Sequence, residues 1–192
     1  MGNEIVIRPM AAADPEPIAA AFAALGWTTK PVEQYIGYLT EQAAGKRACV
    51  VACRGGTFAG YCTLLWTAAY EPFQTTGVPE IQDLNVVPQH RNRGIGTMLL
   101  DAVEELARQR CHVVGLGVGL YADYGPAQRL YVRRGYLPDG RGVCYRNRPV
   151  EPGATIRLDD DAVLMFTRDL SSPAPSRYVG LEPALTGECA GR

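Results

Sequence analysis

Glu80-Ile81-Gln82-Asp83-Leu84-Asn85-Val86-Val87-Pro88 runs through Gln89 and His90 into Arg91-Asn92-Arg93-Gly94-Ile95-Gly96-Thr97, and from there into a long segment ending near Arg110. The first part reads as a strand from Glu80 to Val87, stopped by Pro88, which has no N–H to give to a ladder. The last part is periodic at helical spacing. Met98, Leu99, Val103 and Leu106 fall on one face, and Asp101, Glu104, Glu105 and Arg108 fall on the face expected to meet water. Between strand and helix, Gly94 and Gly96 stand where several backbone N–H groups lack an intrahelical partner. The helix dipole adds about half a positive charge there, and two absent Cβ atoms let an anion reach the backbone. Arg91 and Arg93, with His90, bring further positive charge, so the junction suits a phosphate. Other phosphate motifs fail on their letters: Gly96 is followed by Thr97 with no lysine, and position 99 is leucine where a dinucleotide fold needs glycine.

Downstream, Val113 to Leu120 reads as a strand in which Gly115, Gly117 and Gly119 alternate with larger residues. One of its faces is bare backbone, which means close packing by another element or close approach of a ligand; both stay open. Pro126 to Arg134 is a short helix closed by Gly135, and Gly142 to Arg148 with Ala162 to Arg168 form a last antiparallel pair. From Ser171 to Arg192 Pro, Ser and Gly recur without period, so residues 1–170 are expected to form the domain and 171–192 a mobile tail.

Upstream, Ile5 to Arg8 is a short strand, and Asp14 with Pro15 opens a helix with Ile18, Phe22 and Leu25 on one face. Pro31 opens a second helix, with Val32, Tyr35, Ile36 and Leu39 expected to pack together. Ala48 to Arg54 and Phe58 to Trp66 form a hairpin through Gly55-Gly56, and Tyr70 to Pro79 reads as a loop. The result is a mixed α/β fold with one central sheet.

The 192-residue chain carries 19 basic and 20 acidic residues, a net charge of -1 that gives no general grip on nucleic acid or an anionic membrane. No apolar stretch approaches the roughly 20 residues that span a bilayer, and Met1 to Arg8 lacks a signal-peptide core, so a cytoplasmic protein is expected. Its six cysteines contain no C-x-x-C pair and read as reduced, mostly buried thiols. Two histidines leave little for a zinc site or a nucleophilic pair.

Three motifs in order, Asp83-Leu84-Asn85-Val86-Val87-Pro88, Arg91-x-x-Gly94-x-Gly96 and Ala127-x-x-Leu130-Tyr131-x-x-x-Gly135-Tyr136, resemble the acyl-CoA-binding core of the GCN5-related N-acetyltransferases. The resemblance implies a single domain whose central, twisted, mostly antiparallel sheet holds one parallel, splayed pair, Glu80 to Val87 and Val113 to Leu120, flanked by helices. It also implies acetyl-CoA as cosubstrate, with its pyrophosphate on the backbone of Arg91, Asn92, Arg93, Gly94, Ile95, Gly96 and Thr97. Leu84, Val86 and Val87 would line the pantetheine arm, in a gap that suits a glycine-faced second strand, with Tyr124 and Ala127 also at the cofactor. Family members often carry asparagine at the place of Tyr124, so that polar contact is not carried over; Asp123 or the Tyr124 hydroxyl can substitute.

The implied reaction is direct acetyl transfer to a primary amine of a small molecule or peptide, with no metal. A lysine-like amine of pKa about 10.4 is neutral only about once in 2500 at pH 7, a cost of roughly 4.6 kcal/mol, so a base or a desolvating pocket must help. By resemblance Glu80 is the base, with Asp83 as the fallback, and Tyr131 is the acid for the departing thiolate; a backbone N–H near Val86 or Val87 would meet the oxyanion. A non-catalytic acyl-CoA-binding module and transfer of a different short acyl group remain open alternatives. Trp27, Tyr35, Tyr38, Trp66, Tyr70 and Phe73 are candidate acceptor-lining aromatics, and relatives commonly form homodimers through a sheet edge.

Overall fold

The computed structural model describes residues 4–27 and 29–171. Its elements are β1 (Ile5–Pro9), α1 (Pro15–Ala23), α2 (Val32–Ala43), β2 (Arg47–Arg54), β3 (Thr57–Leu65), α3 (Glu71–Thr76), β4 (Glu80–Val86), α4 (Ile95–Arg108), β5 (Val113–Gly119), α5 (Gly125–Arg133), β6 (Leu137–Tyr145), β7 (Arg148–Pro149) and β8 (Ala162–Asp169). One sheet takes all eight strands in the order β1-β2-β3-β4-β5-β8-β6-β7. Every neighbouring pair is antiparallel except β4 and β5, which run parallel. Most of the expected tail, residues 172–192, lies outside the described residues.

Local chemistry sets most boundaries. Gly55 and Gly56 both take positive φ, 56° and 81°, as a tight hairpin between β2 and β3 requires. Pro15 begins α1, but Asp14 does not cap it with its side chain. Its carboxylate instead takes a two-pronged ion pair from Arg8, at 2.6 and 2.7 Å, and the N–H of Ala11 at 2.7 Å. On α2 the buried stripe centres on Tyr35, and Ile36, expected inside, is 49 % exposed. Between Tyr70 and Pro79 the expected loop is a short helix, α3, with Pro72 in its first turn and Gly77 closing it at φ 69°.

Apolar layers cover both faces of the sheet. On one face, hereafter the α4 face, Ile81, Leu99, Val103, Val114, Leu116, Val118 and Tyr136 pack together. On the other, the α2 face, Ile18, Phe22 and Tyr35 pack on Cys49, Val51, Phe58 and Tyr61. Glu104, expected to face water from α4, is 2 % exposed. It binds the guanidinium groups of Arg134, at the end of α5, and Arg168, on β8, and accepts from the Tyr136 hydroxyl at 2.9 Å. Three elements therefore converge on one carboxylate, and the charge tolerates burial because it is paired.

Among the described residues the five cysteines are free thiols, and burial pushes that of Cys49 up to about 12. No helix among the described residues is long and apolar enough to cross a membrane.

Candidate active site

Two irregularities in β4 shape the site. The strand pairs with β5 only at Glu80 with Gly115 and Ile81 with Leu116, and beyond these positions the two strands part. Against β3 the register passes from Thr63 opposite Gln82 to Tyr61 opposite Asn85, so β4 carries one surplus residue. Asp83 absorbs it at φ 52°, a bulge that reverses the alternation of side chains. Leu84 and Val86 consequently join Ile81 in the α4-face layer, while Asn85 reaches the Tyr61 hydroxyl and Val87 is buried on the α2 face. Gly60 makes this close pairing possible, since a Cβ there would lie 2.5 Å from the Asn85 carbonyl oxygen.

At the end of β4 the chain turns through Pro88–His90, and Arg91 Nε donates to the Val86 carbonyl at 3.0 Å, tying the turn back to its strand. Asn92 and Gly94 take left-handed conformations, φ 58° and 78°. Gly94 is the N-cap of α4, and no side chain caps it. The helical ladder begins with Met98 N–H to Gly94 C=O at 3.0 Å, which leaves the N–H groups of the first turn without an intrahelical partner. A Cβ on Gly96 would touch only Leu130 at 3.7 Å and Val86 at 3.9 Å, ordinary contacts, so the protein's own packing does not demand glycine there. Ile95 is buried and anchors the helix start, while Arg91, Asn92, Arg93 and Thr97 are exposed around it. Uncapped amides, a missing Cβ and two arginines fit an anionic diphosphate. His90 contributes less charge than its sequence position suggests: burial, then Arg54 and Arg93, lower its pKa.

The candidate catalytic side chains occupy different faces. Glu80 opens β4, 6 % exposed, with Oε2 left without a hydrogen-bond partner; desolvation raises its pKa. Asp83, at the bulge, faces α2 and accepts from Tyr38 OH, Gln34 Nε2 and Lys30. Between the two carboxylates, Gln82 accepts from Arg47, which also binds Thr63 and Glu41. Tyr131 projects from α5 into the α4-face layer, edge-on to Tyr136 with centroids 5.7 Å apart. Burial, then neighbouring Cys62, raises its pKa and keeps the phenol protonated. The parting of β4 from β5 is the opening between these two faces.

Several expectations change. The Val87 N–H donates to Ala59 C=O at 3.0 Å, which removes it as an oxyanion donor. The glycine face of β5 is covered by the protein itself: a Cβ at Gly115 would overlap the Phe73 ring, one at Gly119 would overlap Tyr124, and one at Gly117 would come within 3.1 Å of Met165 Sδ. Tyr124 thus packs on β5 and donates its hydroxyl to Asp160 at 2.9 Å, and Ala127 packs half-buried on the α4-face layer. Of the candidate aromatics, Tyr35, Tyr70 and Phe73 are core, Trp27 stacks on Phe22, and Trp66 lies under Arg110; Tyr38 alone meets a candidate catalytic group. Sequence reasoning passed over Lys30, Gln34 and Tyr61, whose link to Asp83 rests on contacts across 31 to 53 residues. Among the described residues no group of three or more His, Cys, Asp or Glu side chains is placed to share a metal ion.

No curated protein sequence matches the chain. Solved structures do match in fold. An N-acetyltransferase from Staphylococcus aureus Mu50 superposes with TM-score 0.65 at 15% identity, over 87% of this chain and 99% of that one. The ribosomal-protein-alanine N-acetyltransferase from Brucella melitensis gives 0.63 at 22% identity, over 85% and 99%. The PaiA N-acetyltransferase from Thermoplasma acidophilum, in complex with coenzyme A, gives 0.61 at 14% identity, over 86% and 99%. A sequence model of the Acetyltransferase (GNAT) family matches residues 13–136, a span running from α1 past the splayed strands to Tyr136. With well over half of its length matched, and with the parted parallel strands and the bare helix start in place, the chain belongs to the GNAT family of acetyltransferases.

Proposed function

We propose that residues 1–170 form an acetyl-CoA-dependent N-acetyltransferase that passes the acetyl group directly to a primary amine of a small molecule or peptide. The observation that carries this reading is the parting of β4 from β5 immediately before the uncapped start of α4 at Gly94. Bound acetyl-CoA would supply an activated thioester. The backbone amides from Asn92 to Thr97, with Arg91 and Arg93, hold its diphosphate, and Leu84 and Val86 wall the gap toward the α4 face. Glu80 takes the proton of the incoming ammonium, a role suited to a buried carboxylate whose pKa is raised. Tyr131 donates a hydrogen bond from the other face to the departing thiolate. With its pKa above 10 it is a weaker acid than a thiol of about 8.5, so it steadies the thiolate more than it hands over a proton.

The test is Gly94→Asp, which adds a side chain at φ 78° and a negative charge beside the first-turn amides. Calorimetry is expected to show acetyl-CoA affinity reduced at least about a hundredfold, the scale of losing two or more charge-assisted hydrogen bonds. Unchanged affinity would overturn the assignment. Thiol release over a panel of amines then identifies the acceptor.

A further inference from the structure

The link between α1 and α2 brings Lys30 over the α2 face of the sheet, and its ammonium ends against protein. Nζ lies 3.3 Å from the Tyr61 hydroxyl and 3.5 Å from Asp83 Oδ1. It also stands 5.8 Å from the ring centroids of both Phe22 and Tyr61. The Lys30 side chain is 18% exposed and that of Asp83 28%. The second oxygen of Asp83 is oriented by Tyr38 OH and Gln34 Nε2, both neutral donors.

An acidic group backed by two aromatic faces is a cation site. Lys30 fills it loosely: 3.5 Å is the outer limit of a hydrogen bond, and 5.8 Å is close to the limit of cation–π attraction. The cage opens at Asp83, just past the last paired positions of β4 and β5, and so beside the gap assigned above to the thioester.

We propose that Lys30 is a tethered stand-in for the acceptor: the cage of Asp83, Tyr61 and Phe22 binds the acceptor's alkylammonium group, which enters by displacing Lys30. The acceptor class that fits is a primary amine on an unbranched alkyl arm, the chemistry that the lysine side chain itself presents. A carboxylate next to the amine, as in a free α-amino acid, meets repulsion from Asp83. The use of the cage in acetyl transfer rests on the function proposed above; its capacity to bind a cation does not.

The experiment therefore uses the protein without acetyl-CoA and n-butylammonium chloride as the probe. Lys30→Met keeps the apolar arm and removes the resident charge. By calorimetry it is expected to bind butylammonium about tenfold more tightly than wild type, the scale of one removed ion pair plus cation–π contact. Adding Asp83→Asn is expected to abolish that gain, and n-butanol, of the same length without charge, is expected not to bind. Equal affinity in wild type and Lys30→Met, or a gain that survives Asp83→Asn, overturns the proposal. A second readout needs no variant. The chain has two lysines, Lys30 and Lys46, so lysine-selective 13C labelling gives two resolvable side chains. Butylammonium should move the Lys30 ε-methylene toward its free-solution shift and leave Lys46 in place; no movement at saturating probe overturns the proposal as well. Failure of acetyl-CoA binding, measured separately, bears on the reaction and leaves the cage result standing.

Discussion

Glu80 combines burial with an unsatisfied carboxylate oxygen, and the sign of its linkage to pH follows. As pH rises past the ordinary value of 4.5, the unfolded chain releases this proton before the folded one does, so stability falls through the raised folded pKa. Glu80→Gln removes the buried charge. Its melting temperature should exceed that of wild type at pH 8 and converge with it below about pH 4.5, while its turnover falls; a variant no more stable at pH 8 would show that Glu80 is not ionised at a desolvation cost. At this scale the bare helix start at Gly94 was legible, because it belongs to a short local pattern. Glu104 was not: a carboxylate on an amphipathic helix reads as solvent-facing, and its partners Arg134 and Arg168 lie 30 and 64 residues away. Lys30 escaped for the same reason, being 53 residues from Asp83.

Among elements, α3 and β5 depend on each other. The alternating glycines of β5 announce that something lies close, yet the letters do not say what. In the structure the neighbour is Phe73, from a helix of six residues too short and too rich in Pro and Thr to show periodicity. Tertiary contact, more than intrinsic propensity, keeps that helix folded. Gly115→Ala would drive a methyl into the Phe73 ring and is expected to cost about 1–3 kcal/mol in urea unfolding. Phe73→Leu in the same chain should recover part of this, giving a coupling term in a double-mutant cycle. Strict additivity would mean that the two residues do not share the space assigned to them. Helices α1, α2 and α4 were readable from their apolar stripes and α5 from its opening Pro126 and closing Gly135, whereas the outward turn of Ile36 reflects how α2 rolls to seat Tyr35 on the sheet.

Over the whole molecule, the order of elements could be read from the chain except for α3 and the two-residue β7, but the place of β8 between β5 and β6 could not, because nothing local encodes which edge a returning strand will join. Its insertion brings Arg168 to Glu104, and with Arg134 this fastens α4, α5 and β8 into one block beside the parted strands. Glu104→Ala would leave two largely buried guanidinium groups without their shared carboxylate, and chemical denaturation is expected to show a loss of about 3–5 kcal/mol. A loss below about 1 kcal/mol would mean that water replaces the carboxylate. The bulge at Asp83 reaches further than its own turn of backbone. Drawn straight with every residue kept, β4 would carry Asn85 into the oily layer and push Leu84 and Val86 out onto the α2 face, whereas loss of the Asp83 codon would remove the surplus and leave each downstream residue on its present side. The extra length thus gives the α2 face one carboxylate that a regular strand could not seat there, and its deletion is expected to leave Lys30, Gln34 and Tyr38 without their shared acceptor while sparing the α4-face layer.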